Sequence, residues 1–162
     1  MSVPFSTLAD DFLELTREII WCTVTTVDTK GRPRSRILHP IWEVSDGRPI
    51  GWIVTSKTPI KAGHLKANPH VACSYWAPSQ NVVYADCVAS WAEDPASKQQ
   101  VWDLFMNTPP PIGYDLRGFG AAGPESPGFT PLRLDPWRVQ VLRFKGWTEG
   151  LTPRIWQAVA TS

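Results

Sequence analysis

IIWCTVTTVDTKGRPRSRILHPIWEVSDGRPIGWIVT, residues 19–55, decides the fold. It is rich in β-branched and aromatic residues and is interrupted twice by turn chemistry, at Asp28 to Gly31 and at Ser45-Asp46-Gly47. Runs of that kind favour extended strands, and short polar interruptions favour hairpins. The pattern predicts strands over residues 19–27, 34–44 and 50–55. Working outward, residues 70–75, 81–91 and 139–144 continue it, which makes six strands. Three amphipathic stretches read as helices: 6–17, with Ser6 or Thr7 as cap, then 59–67 and 95–106. Residues 107–131 are dense in proline and glycine and form a long loop, of the kind that is functional or mobile. Its segment GYDLRGFGAAG follows a helix rather than a strand, so it is a lid or partner-subunit loop and no dinucleotide fingerprint. Strands joined by tight turns, with few helices, predict a mainly β antiparallel barrel.

The chain has 162 residues, 43% hydrophobic and 19% charged, which fits one domain over residues 1–162. A chain of this size buries about two-thirds of its unfolded surface and needs no metal or disulfide staple. Cys22, Cys73 and Cys87 are widely spaced and read as small buried apolar residues, with no metal site. No apolar run is long enough to span a membrane. The start, MSVPFSTLADDFLELT, has acids where a signal peptide needs an apolar core. A cytoplasmic protein is expected. Serine-hydrolase, zinc-protease and Walker-type motifs do not occur.

The net charge of +1 conceals an asymmetry. Between Thr29 and Ala85 there are eight bases, among them Lys30, Arg32, Arg34, Arg36, Lys57 and Lys61, against the two acids Glu43 and Asp46. A local excess of that kind points to an anionic partner. The segment TSKTPIK, residues 55–61, sharpens the inference. Thr58 and Pro59 are cap and first residue of a helix, whose start already carries partial positive charge. Lysines there repel it unless an anion intervenes, and free N–H groups, hydroxyls and ammonium groups together describe a phosphate site. No Asp or Glu lies between Gly47 and Ala85 to serve as that anion. Arg36, on the neighbouring strand, reaches the same place if it shares that face. Arg32 and Arg34 read as the solvent face of the hairpin.

These residues resemble the pyridoxamine 5′-phosphate oxidase-like, FMN-binding split-barrel family, with its general-stress and deazaflavin-dependent branches. The resemblance covers residues 21–93, with an echo at Leu134-Asp135-Pro136-Trp137-Arg138-Val139. Its most specific parts are Gly31, Pro33 and Arg36 in G-x-P-x-x-R, and the run from Thr55 through Lys61 into KAGHLKANPHVACSYW. It implies a six-stranded antiparallel split β-barrel that dimerises and holds FMN between its subunits. By the same resemblance Arg36, Thr55 and Lys61 hold the FMN phosphate and ribityl chain, with Ser56 and Lys57 as neighbouring cofactor-binding candidates. Ile60 stands where true pyridoxamine phosphate oxidases carry arginine, and Leu38-His39-Pro40-Ile41 lacks their lysine. The tail LTPRIWQAVATS lacks their substrate-holding arginine and histidine. Vitamin B6 oxidation is therefore not expected.

The implied function is flavin-dependent oxidoreduction, passing a hydride between FMN and a small organic substrate. No side chain is assigned as catalytic, because the flavin carries the chemistry. A deazaflavin-dependent reductase on the same fold is the alternative cofactor reading. A flavin carrier or sensor without turnover is a third. A β-barrel binding single-stranded nucleic acid would use the arginine strand and stacking aromatics, but near-zero net charge and cations gathered at one helix start argue against it. Neither nucleic acid nor membrane is an expected partner. The nine tryptophans read mostly as core or interface, one or two of them packing on the flavin ring. His39, His64 and His70 read as structural.

Overall fold

The computed structural model describes residues 2–149 and 151–158; the end of the tail considered above, 159–162, lies outside them. Helix α1 is Ala9–Ile19, α2 is Pro59–Ala67 and α3 is Pro95–Asn107. The strands are β1 Cys22–Val27, β2 Pro33–Leu38, β3 Pro40–Ser45, β4 Arg48–Ile53, β5 His70–Trp76, β6 Val82–Trp91, β7 Leu132–Leu142 and β8 Arg154–Gln157. All strand pairs are antiparallel, in the order β2-β1-β5-β6-β7-β4-β3, with β8 added to β7. The mainly β split-barrel expectation holds. Among the described residues the strands number eight, not six.

Two physical features account for the difference. Residues 34–44, read above as one strand, are two. Leu38 pairs with Cys22 in β1, whereas Pro40 pairs with Ile53 in β4, so His39 alone carries the chain from one edge of the sheet to the other. Proline has no N–H for a ladder and is tolerated at the start of an edge strand, which is where Pro40 lies. The tail supplies the other addition, β8, too short to show a period but anchored by buried Trp156. Strand β7 also starts earlier than its apolar run. Pro136 pairs with Cys87 and Arg138 with Asp86, so Trp137 is the extra residue of a bulge and projects outward. A bulge of this kind admits the proline that would otherwise interrupt the strand.

The main core lies between α1 and the inner face of the sheet and includes Phe12, Leu15, Trp42, Tyr75 and Leu134. The Trp42 indole N–H donates to the Tyr75 hydroxyl at 2.8 Å, which satisfies both polar groups at depth. The three cysteines are buried and unbridged. Ahead of α1, buried Phe5 pulls the chain into a 3-10 turn over Phe5–Thr7. Leu8 then occupies the cap position with no side-chain hydrogen bond, so neither Ser6 nor Thr7 caps the helix. A second cluster forms where α3 and the following loop cover the opposite face of β3 and β4, burying Ile41, Trp52, Val101, Phe105, Leu116 and Phe129. That cluster pins the loop against the end of β4. No helix among the described residues is long and apolar enough to cross a membrane.

The close approach of β3 and β4 depends on Gly51, where a Cβ would sit 2.6 Å from the Trp42 ring. Gly51→Ala is therefore expected to cost about 1–3 kcal/mol through overpacking. Urea unfolding measures this; an unchanged midpoint would mean that the ring does not press on this backbone.

Candidate functional site

The site is built where the split of the barrel meets α2. Thr58 takes an extended conformation and its hydroxyl accepts the Lys61 backbone N–H at 3.3 Å, while Pro59 opens the helix. This turns the Lys61 side chain back toward the end of β4, where its ammonium donates to the Thr55 hydroxyl at 2.6 Å. On the other side of the split, Asp28 fixes the β1–β2 turn. Its carboxylate accepts the backbone N–H groups of Lys30 at 2.9 Å and Arg32 at 3.0 Å, and pairs with the Arg32 guanidinium. Those bonds, the Arg32 N–H first among them, hold its pKa down at about 2. The glycine of the turn, Gly31, has φ +77°, a conformation that β-carbons disfavour. Beyond the turn, Arg36 faces inward opposite Val24 and donates to the Thr26 hydroxyl at 3.1 Å. Thr26 in turn lies 3.1 Å from His64 Nδ1 of α2, so the strand and the helix share one buried polar link.

Arg36 and Lys61 thus face one another across the split. Burial, then the charge of Arg34, lowers the pKa of Arg36; burial, then the charge of Arg36, lowers that of Lys61. Among the described residues neither cation forms an ion pair. Two half-buried cations repel each other here with no carboxylate between them, an arrangement that an anion would relieve. Lys57 behaves differently. It turns outward, pairs with Glu93 and lies 5.5 Å from the centre of the Trp91 ring. Its counterion comes from beyond the acid-free segment, 36 residues along the chain. Of the sequence-predicted residues, then, Arg36, Thr55 and Lys61 converge, Ser56 is next to them and Lys57 stands apart. Thr26 and His64, which orient Arg36, were not singled out as a pair, because a contact across 38 residues leaves no local pattern.

Beside Thr55 and Ser56, the 107–131 loop and the end of β4 enclose a cleft of about 140 Å³. Its apolar walls are Tyr114, Leu116, Phe119 and Phe129. The loop therefore lines a cleft in its own chain. Behind Tyr114, at the β2–β3 crossing, His39 is packed among aromatic rings, with centroids 5.6 Å from Trp21, 5.6 Å from Tyr114 and 6.4 Å from Phe105. Its Nε2 has no hydrogen-bond partner, and burial pushes its pKa down. Burial likewise raises the pKa of Tyr114 to about 12. His70 lies exposed at the start of β5. Of the tryptophans, Trp42, Trp52 and Trp156 are buried, whereas Trp21, Trp76, Trp137 and Trp147 are exposed.

Comparison with known proteins places this architecture. Among solved structures, a protein of Clostridium acetobutylicum related to general stress protein 26 superposes with a TM-score of 0.69 at 16% identity, covering 96% of each chain. A pyridoxamine 5′-phosphate oxidase-related, FMN-binding protein of Nostoc punctiforme gives 0.65 at 17% identity, covering 98% of this chain and 100% of its own. An F420 reductase gives 0.53 at 18% identity, covering 80% of this chain and 94% of its own. These likenesses establish the fold. No curated protein matches the chain. The family model described as pyridoxamine 5′-phosphate oxidase matches residues 8–143, most of the chain and all the elements that build the site. The protein therefore belongs to the pyridoxamine 5′-phosphate oxidase family.

Proposed function

We propose that this protein is an FMN-binding oxidoreductase that exchanges a hydride between the flavin and a small organic substrate other than a B6 phosphate. The observation that carries the reading is the pair of carboxylate-free cations, Arg36 and Lys61, held toward one point by Thr26 and Thr55. A phosphate monoester matches that pair in charge, and the guanidinium and ammonium supply charge-assisted donors for it. Thr55 and Ser56 offer hydroxyls on the same side. Lys57, already paired with Glu93, contributes at most to the local potential. When bound, the flavin supplies reversible two-electron chemistry; the protein's part is to orient it, exclude water and set its potential. The similarity to an FMN-binding protein of Nostoc punctiforme supports this reading.

The likeness to an F420 reductase favours a second cofactor reading on the same residues. A deazaflavin carries a phosphorylated tail that the same cations would neutralise. Whichever cofactor is held, the proposed unit is a homodimer of one-domain chains spanning residues 1–162. Exposed Ile37, Trp76, Tyr84 and Val88 on the outer face of the sheet are the apolar surface that supports it.

Parallel titrations with FMN and the deazaflavin decide the cofactor, the tighter binder being the one used. In the FMN titration, Arg36→Ala and Lys61→Ala should each weaken binding about ten- to a hundredfold, corresponding to ~1.5–3 kcal/mol for a hydrogen bond to a charged group. Lys57→Ala should leave affinity nearly unchanged. Equal affinity of wild type and the Arg36→Ala, Lys61→Ala double variant would remove the site from the proposal.

The depressed pKa of Lys61 yields a stability prediction for the flavin-free protein. Because its folded pKa lies below its unfolded one, its charge destabilises the fold fully below the folded pKa, and that penalty declines as pH rises from the folded pKa and is gone above the unfolded one. Lys61→Met should therefore raise the unfolding midpoint at neutral pH and raise it less near pH 10. A midpoint lowered at neutral pH would show that the Thr55 hydrogen bond outweighs the repulsion.

A further inference from the structure

We infer that His39 is an acid-sensitive latch on the 107–131 loop: the neutral ring seats Tyr114, and the protonated ring releases it. The latch belongs to the fold of the chain itself and stands whether or not a flavin binds. His39 is the one residue between β2 and β3. Leu38 before it pairs with Cys22, and Pro40 after it pairs with Ile53, so its backbone is held from both sides. The following proline further confines it to extended conformations. Its ring therefore reaches water by displacing a neighbour rather than by swinging the chain.

Those neighbours are aromatic. The ring is 8% exposed, packed among Trp21, Tyr114 and Phe105, and its Nε2 has no hydrogen-bond partner. A neutral imidazole tolerates this by keeping its proton on Nδ1 and leaving Nε2 as a bare lone pair. An imidazolium carries an N–H on both nitrogens and would bury one of them, charged, without an acceptor. Aromatic faces attract a cation, but they do not replace the hydrogen bonds to water that it gives up. Burial is the one cause that pushes the pKa of His39 down, so no charged side chain offsets the cost. The charged groups on the surrounding elements are committed elsewhere or exposed. Arg36 of β2 donates to Thr26, Glu43 of β3 accepts the Trp52 indole N–H, Asp103 of α3 accepts from Gln99, and Asp115 pairs with Arg117. Glu18, at the end of α1, is exposed. Tyr114, its pKa pushed up to about 12 by burial, stays neutral throughout the range in which a histidine titrates.

Of the three rings around His39, Tyr114 is the one that can yield. Phe105 is fully buried in α3, and Trp21 is tied to β1 through the adjoining Cys22, also fully buried. Tyr114 is carried by the loop. Its backbone N–H donates to the Phe105 carbonyl at 3.0 Å, and two residues on the Leu116 N–H donates to the Met106 sulfur at 3.3 Å, a weak acceptor. When the loop opens, His39 meets water and regains the ordinary histidine value of about 6.5. The closed form is therefore fully favoured above that value, loses ground as pH falls below it, and levels off below the depressed value of the closed form. Tyr114 also packs on Phe119 and walls the cleft beside Thr55, so the charge on His39 alters that cleft without touching it.

Amide hydrogen exchange of the flavin-free protein, corrected for the intrinsic pH dependence of exchange, tests the latch. Between about pH 7.5 and about pH 5 the opening equilibrium read from amides 113–121 should rise about threefold or more, while the amides of β5 and β6 stay protected. His39→Phe and His39→Gln, neither of which titrates, should abolish the rise. Should either variant fail to fold, the wild type still answers: its His39 imidazole, followed by NMR, should take up its proton at lower pH than in urea-unfolded protein. Loop protection indifferent to pH in the wild type, a rise retained in the variants, an acid response shared equally by β5 and β6, or a His39 protonated as readily in the folded as in the unfolded chain would each overturn the inference.

Discussion

Arg36 and Lys61 are held in each other's field, half-buried, without a carboxylate between them. The arrangement is unfavourable for the isolated chain, since burial and like charge both disfavour the charged forms. It persists because the surrounding structure holds each cation separately: Asp28 sets the turn that aims β2, Thr26 and His64 fix Arg36 to α2, and Thr58 and Thr55 direct Lys61. Electrostatic strain of this sort, maintained by unrelated hydrogen bonds, is characteristic of a binding site. The positive end of α2, with no acid in its first turn, adds to it.

The geometry follows from a topological economy. Edge strands β2 and β3 belong to opposite ends of the sheet order, yet only His39 separates them. The sheet must therefore curl until its ends meet, and the remaining gap is where α2 and the end of β4 bring their polar groups. On the far side of β4, α3 and its loop bury Trp52, Phe105 and Phe129, which places an aromatic cleft next to Thr55. One short segment, residues 53–56, thus joins the cation pair to the apolar cleft.

Local features were legible in the chain. Thr58, Pro59 and Asn68 bound α2 as cap chemistry predicts, and alternation marked most of the strands. The acid-free run around Lys61 likewise announced a cation without an internal partner. What the chain concealed was long-range. Lys57 looked equivalent to Lys61, and only the fold brings Glu93 against it. The extended pattern continues unbroken through His39 and Pro40, so the crossing between edges has no signature beyond the proline. The sequence pattern marks β7 only from residue 139, and the bulge at Trp137 that admits Pro136 is a property of the pairing with β6.

If the two cations form a phosphoryl receptor, the flavin-free protein should respond to phosphate itself. A ligand that binds only the folded state raises stability with its concentration. The most direct measurement is the thermal unfolding midpoint in a phosphate series against a chloride series of equal ionic strength. Phosphate should raise the midpoint of the wild type beyond chloride, and the excess should vanish when Arg36 and Lys61 are both replaced by Ala. The same excess in the double variant, or none in either protein, would contradict the account.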